Sequence, residues 1–449
     1  MSGMTRRGMS AVAAAAIGLM VSAAPAQAQR TTINWWHSMS GQLGEWIEDV
    51  AKRYNASQDK YDLKPIFKGS YQESFNAVTA AYRAKEHPHL LQSNESSVIT
   101  LMLSGVVEPA HEILERNKVV FDVADLVPPV ALVYTDPKGK LIAMPFNSST
   151  PILYYNADLI EKFGLGGPPK TWQEMEKQIE KMKAGGVPCG LALHGFIPHG
   201  QWIDVENYSA RNDIPYASGQ NGIEGLGVEM MFNKTSVVQH MERIKRWIDT
   251  KYAIYGSAAG AAAGGPRAEF GEGRCAFIVD SSALHAQFER DVKPKWGATF
   301  LPHEEGRPAN NTVIGGAALF ALKGHAPAVY AGIGDFFRFL SQKEIQIYNH
   351  QRTGYVPVTK SAYEQLVKDG YYNQKPAMGI AIRQLLLNAP TANSRAIRLG
   401  NHEGIRVVFT EEVERALIGQ KSVQQAMDDA VRRANELLRR FEQQNRGKL

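Results

Sequence analysis

The sequence predicts an α/β protein of two large lobes, and three observations carry that prediction. Its 449 residues exceed what one hydrophobic core ordinarily serves, since typical domains run roughly 100–200 residues. Hydrophobic residues make up 44% and charged residues 21%, the balance of a folded globular chain. Short apolar strands alternate with amphipathic helices, the pattern of parallel βαβ units.

The elements follow in order. The opening MSGMTRRGMSAVAAAAIGLMVSAAPAQA has paired arginines, Arg6-Arg7, an apolar run from Ala11 to Ala24, and Ala26-Gln27-Ala28 as an A-x-A cleavage pattern. An export signal over residues 1–28 is expected, cut near Ala28. The paired arginines admit a twin-arginine route as well as a Sec route. The apolar run is shorter than the roughly 20 residues a spanning helix needs, and no later run reaches that length. No cysteine lies near the cut to carry a lipid, so a soluble periplasmic protein is expected.

Removing Arg6 and Arg7 with the signal lowers the formal charge from +5 to +3, too mild for a nucleic-acid partner but compatible with a small anionic ligand. Export permits a disulfide between Cys189 and Cys275, the only two cysteines; burial as two separate thiols is the alternative.

TTINWWHS reads as a first strand, and helical apolar spacing runs from it to Asn55. DLKPIFKGSY reads as a second strand, with a helix through Arg83. The alternation recurs over Leu90–Leu103 and after Pro151, where ILYYN leads into Ala157–Gly164. Pro168-Pro169 forbid a helix, whereas Thr171 and Glu174 form a capping box, so a helix begins at Trp172 and stops at Gly185-Gly186. SAAGAAAGGP, from Ser257, is low in complexity and receives no function. Near the C-terminus, Val423, Met427, Val431, Ala434, Leu438 and Phe441 share one face of a packing helix.

No G-x-S-x-G, H-E-x-x-H, C-x-x-C or G-x-x-x-x-G-K-[ST] occurs, and His111, His194 and His199 lack a metal frame, so an enzyme, a metal and a cofactor are not expected. Six other stretches each sit where a predicted strand meets a turn. They are KGSYQES with Tyr71, QSNESS with Glu95, FNSSTP with Ser149, VDSSAL with Ser281, VIGGAAL with Gly316 and RTGYVPVT with Tyr355. In open α/β sheets, ligands sit beyond the carboxyl ends of strands, so these residues read as a cleft lining.

The motifs PPKTWQEM, GEGRCAF, VIGGAAL and RTGYVPVTKSAY resemble the family of ABC-import solute-binding proteins that includes the maltodextrin binders. WHSMSGQLGE, FKGSY, PFNSSTPILYYN, VENYSARNDIPYAS and RLGNHEGIRVV resemble its branch that binds sn-glycerol 3-phosphate, over nearly the whole mature chain. The resemblance implies a two-lobed periplasmic binding protein of type II, with lobe one over 30–147 plus 312–357 and lobe two over 148–311 plus 358–449. FNSSTPILYY, VIGGAAL and GYVPVT would be the crossings between them.

It further implies site roles. Arg406 would be the cation for the phosphate; Tyr71, Ser149, Ser281 and Tyr355 would donate hydroxyl hydrogen bonds, and the Gly316 N–H would approach closely. Glu95 would accept from glycerol hydroxyls, and Trp172 would cover the cleft. Structural alternatives stand beside all but Glu95: sheet packing for the tyrosines and Gly316, helix capping for Ser149 and Ser281, pairing with Glu403 for Arg406, and core packing for Trp172. The implied partners are glycerol 3-phosphate or a glycerophosphodiester, and an ABC permease with its ATPase, served by a monomeric receptor. A sugar receptor and a secreted phosphodiesterase are the competing functions. Asn94, where an aromatic residue is expected, is a departure that would loosen the glycerol end, and the Ala/Gly-rich stretch is another.

Overall fold

The computed structural model describes residues 30–194, 198–256 and 265–448; the expected signal and its cleavage point lie outside these, as does most of the Ala/Gly-rich stretch. Two sheets organise the chain. The first contains β1 (Thr31–His37), β2 (Tyr61–Phe67), β3 (Leu90–Asn94), β4 (Val107–Glu108), β5 (Met144–Ser149) and, from far along the chain, β11 (Gly315–Leu322). The second contains β6 (Pro151–Asn156), β7 (Cys189–Leu193), β8 (Ala253–Tyr255), β9 (Cys275–Ser281) and β10 (Trp296–Thr299).

In the first sheet the order is β2-β1-β3-β11-β4, with β5 also on β11; β1 runs parallel to β2 and β3, and β11 runs antiparallel to its neighbours. Ile33, Trp35 and His37 alternate into the core from β1, and Trp46, Ile47, Val50, Ala51 and Tyr54 close over them from the helix Gly41–Ser57. Pro65 is tolerated because β2 is an edge strand. This strand ends four residues before the sequence predicts. Ser70 caps the next helix, Tyr71–Ala84, in a reciprocal box with Glu73, which turns Tyr71 from strand residue into first helical residue.

The second sheet has the order β10-β6-β9-β7-β8. Helix Trp172–Ala184 starts and stops as its boundary chemistry requires: Thr171 accepts from the Glu174 N–H at 3.0 Å, and Gly185 is the C-cap. Glu174 reaches back to the N–H of Lys170 at 2.7 Å, one residue before the expected partner. The C-terminal helix, Val423–Asn445, buries every residue of the expected face. Cys189 and Cys275 stand opposite each other on parallel strands β7 and β9 and form a disulfide. With a sequence separation of 86, the chain-entropy estimate puts its stabilisation at about 4–5 kcal/mol.

The sheets meet at Thr150, between β5 and β6. Its hydroxyl bonds Thr312 Oγ1 at 2.6 Å and the Val313 carbonyl at 3.1 Å. Just before it, Ser148 pairs with Gly316 on one side, and its carbonyl accepts from the Val356 N–H at 2.8 Å on the other. The three stretches FNSSTP, VIGGAAL and GYVPV therefore run side by side where the chain passes from one sheet to the other. This is a two-lobed α/β architecture of the type II periplasmic binding kind.

Candidate functional site

Above this crossing lies a cavity of about 600 Å3, lined by Tyr71, Glu95, Ser149, Ser281, Gly316, Tyr355 and Arg406 among others. Seven of the eight residues singled out from sequence thus share one wall system, although they are spread from residue 71 to residue 406. Local structure explains their convergence. Glu95 directly follows β3, Ser281 ends β9, Ser149 ends β5, and Tyr71 opens a capped helix. Ser281 also caps a short turn, accepting from the Ala283 N–H at 3.2 Å, so its structural alternative is met alongside its place in the cavity.

Gly316 is required by backbone geometry. Its φ is +110°, and a Cβ there would lie 2.1 Å from the Asn147 carbonyl oxygen. Tyr355 is buried, its hydroxyl 3.4 Å from Met39 Sδ and its ring 5.7 Å from Trp46. Burial pushes the phenols of Tyr71 and Tyr355 above their ordinary range, so both remain protonated hydrogen-bond donors at neutral pH.

Trp172 is elsewhere. It is only 1% exposed, inside the lobe-two core, with its ring 4.6 Å from His240 and 6.4 Å from Trp247. The expectation that it covers the cleft is therefore corrected. It opens a helix whose buried face continues through Met175, Ile179 and Met182 into the core, and none of these four lines the cavity. The cavity's indole belongs to Trp202, on a π-helical stretch from Trp202 to Asn207. This ring packs so closely on Gly315 that a Cβ there would lie 2.5 Å from it.

Arg406 is not an uncommitted cation. Its Nε donates to Glu206 Oε1 at 2.8 Å and its Nη2 to Glu206 Oε2 at 2.7 Å, while Nη2 also reaches Glu95 Oε1 at 2.8 Å. Glu403 lies 3.9 Å away on the same helix, His402–Leu417. Burial raises the Glu206 carboxyl, but Arg406 and His402 beside it outweigh that and hold it at about 2. Glu95 is raised instead, because burial outweighs the same guanidinium. Asn94 and Ser96 both donate to Glu403. Asn94 is therefore tied into the site, contrary to the expectation that it would loosen it.

A second cation, Arg267, lines the cavity beyond the Ala/Gly-rich stretch. Its Nε and Nη2 grip both oxygens of Asp280 at 2.8 and 3.1 Å, leaving Nη1 as the third donor group of the fork. Asp280 is fully buried, also bonds His194, and accepts from the Ser281 N–H at 2.7 Å. The two arginines of the cavity thus differ in their acidic neighbours. Around Arg406 stand three carboxylates, Glu95, Glu206 and Glu403; Arg267 faces one.

Sequence reasoning passed over Trp202, Glu206 and Arg267. Glu206 lies within VENYSARNDIPYAS, a stretch quoted for its resemblance, but Glu206 was not singled out there. Arg267 follows a segment given no function. Among the described residues no cluster of potential metal ligands occurs, and no helix is long and apolar enough to cross a membrane.

Residues 49–379 match the family of bacterial extracellular solute-binding proteins. The chain is 39% identical over 421 residues to the sn-glycerol-3-phosphate-binding periplasmic protein UgpB of Salmonella paratyphi A, covering 92% of this chain and 93% of that one. Identity to the UgpB of Pectobacterium atrosepticum is also 39%, over 437 residues and 96% of each chain. In fold it is similar to UgpB from Mycobacterium tuberculosis in complex with glycerophosphocholine, with a TM-score of 0.76, 20% identity, and coverage of 92% and 99% of the two chains. The GacH receptor of Streptomyces glaucescens superimposes with a TM-score of 0.76 at 17% identity, covering 92% and 100%.

Proposed function

Because the chain belongs to the bacterial extracellular solute-binding protein family, we propose that it is a periplasmic receptor that captures sn-glycerol 3-phosphate, and glycerophosphodiesters, for an ABC import permease. The carrying observation is the cleft's asymmetry. Its lining brings together the hydroxyls of Tyr71, Ser149, Ser281 and Tyr355 and the backbone of Gly316, which suit an oxyanion, and its two arginines keep different acidic company.

A phosphate dianion placed against Arg406 would also meet three carboxylates. It is better served between Tyr71, Ser149, Ser281, Gly316 and Tyr355, with Arg267 as the nearest cation not crowded by further acids. Glu95 and Arg406 then accept from and donate to the glycerol hydroxyls, and Trp202 lies along the carbon skeleton. The ligand role of Arg406 thus moves from phosphate to polyol. Ligand bridging both lobes favours closure, which is a population shift.

We assign residues 30–147 plus 312–357 to lobe one and 148–311 plus 358–449 to lobe two, a division that sheet membership supports over 30–322 except at Ser148 and Ser149, which end a strand of the first sheet. The mature receptor is a monomer beginning after Ala28, with neither cofactor nor catalytic activity. Calorimetric titration of refolded, ligand-free protein with glycerol 3-phosphate, glycerophosphocholine and maltose tests this. Tight binding of a phosphate compound, recovered unhydrolysed, is expected. Binding of maltose alone, or release of glycerol 3-phosphate from the diester, would overturn it.

A further inference from the structure

The cleft does not end at Arg267. A second chamber of about 350 Å3 adjoins it and shares four wall residues with it, Leu43, Arg267, Ala283 and Leu284. Three arginines line this chamber, Arg267, Arg290 and Arg352, and no aspartate or glutamate is among its lining residues. Their acidic partners belong to other walls: Asp280 for Arg267, Asp291 for Arg290 and Glu45, 3.6 Å away, for Arg352.

Arg290 and Arg352 have side chains 55% and 36% exposed, so their ion pairs are weakly held and exchange readily for another anion. The start of helix Gly41–Ser57 forms another part of the wall. Its first turn contains no acidic residue and Ser40 makes no side-chain cap, which leaves the positive end of the helix facing the chamber. No phenylalanine, tyrosine or tryptophan lines the chamber, so it offers no aromatic face to a quaternary ammonium.

Resting on the reading of the cleft as a glycerophosphate site, we infer that this chamber is a second half-site, which receives the anionic distal group of a glycerophosphodiester. With phosphate at the hydroxyl cluster, a substituent on its far oxygen passes Arg267 and enters the chamber. A carboxylate or second phosphate there meets Arg290 and Arg352; a choline group meets only cations. The receptor therefore favours diesters whose alcohol carries negative charge.

The test compares glycerophosphoserine with glycerophosphoethanolamine, which differ by one carboxylate, using calorimetry on the mature protein. Wild type is expected to bind the serine diester about tenfold more tightly, the worth of one charge-assisted hydrogen bond. The Arg290→Gln/Arg352→Gln double variant is expected to lose that preference while binding glycerol 3-phosphate within about twofold of wild type. Arg290→Glu, in which an acid replaces the cation, should invert the preference. Equal binding of the two diesters by wild type, or a preference that survives both variants, overturns the inference and leaves the cleft reading standing. Failure to bind glycerol 3-phosphate at all overturns the cleft reading, and this one with it.

Discussion

Arg406→Ala is the sharpest probe of the cleft's electrostatics, and its first effect is on stability. The guanidinium is 5% exposed and compensates Glu206 and Glu95, which are 1% and 11% exposed, with Glu403 close by. Removing it takes the guanidinium from all three carboxylates and leaves Glu206 only His402, 3.1 Å away, a loss that typically costs about 3–5 kcal/mol. For a lobe of roughly 200 residues this lowers Tm by roughly 6–20 °C, at about 2–4 °C per kcal/mol. Glu206→Gln is the control. It leaves Arg406 its bond to Glu95 and its neighbour Glu403, so it should cost about a third as much. Thermal melts of wild type and both variants at neutral pH, without ligand, decide the matter. A Tm for Arg406→Ala within about 2 °C of wild type, or a larger loss for Glu206→Gln, would refute the charge count on which the site is built.

Two further outcomes are expected. Glu206 and Glu304 are both held at about 2 against an ordinary 4.5, where Arg406 and Arg243 respectively outweigh the effect of burial. A depressed folded pKa gives stability that is present above 4.5 and lost as pH falls toward 2, so Tm should drop across that window; Glu95, raised by burial, works in the opposite sense. A Tm that stays level from about pH 5 to 2.5 would contradict this. Trp172→Ala should cost about 3–5 kcal/mol through the cavity it leaves, with affinity for glycerol 3-phosphate unchanged well below Tm. A tenfold affinity loss with an unchanged melt would return Trp172 to the cleft.

Much of this architecture was legible because it rests on local chemistry. Thr171, Gly185 and the apolar stripe from Val423 to Phe441 declare two helices by capping and spacing alone, and the structure has both. Glu95, Ser149, Ser281 and Gly316 were visible as small or polar groups where strands meet turns, whereas Arg406, inside a helix, was reached only through the family resemblance. What sequence left open were relations between distant segments. Whether Cys189 faces Cys275 depends on β7 lying beside β9, which neither strand encodes by itself. Trp172 and Trp202 both follow turn-rich stretches, and only packing sends one into the core and the other to the cavity wall. The neutralisation of Arg406 needed Glu206, 200 residues earlier in the chain. Charge compensation in a buried site has no sequence period to reveal it.

The bond between β7 and β9 has one consequence for survival outside the cytoplasm. It closes a covalent ring from Cys189 to Cys275 that includes Trp202, Glu206 and Arg267. A protease that cuts one peptide bond anywhere within that ring opens a loop but frees no fragment, and the strands on either side of the cut remain joined through sulfur. A nicked molecule keeps its full mass until it is reduced, so damage here is topologically silent.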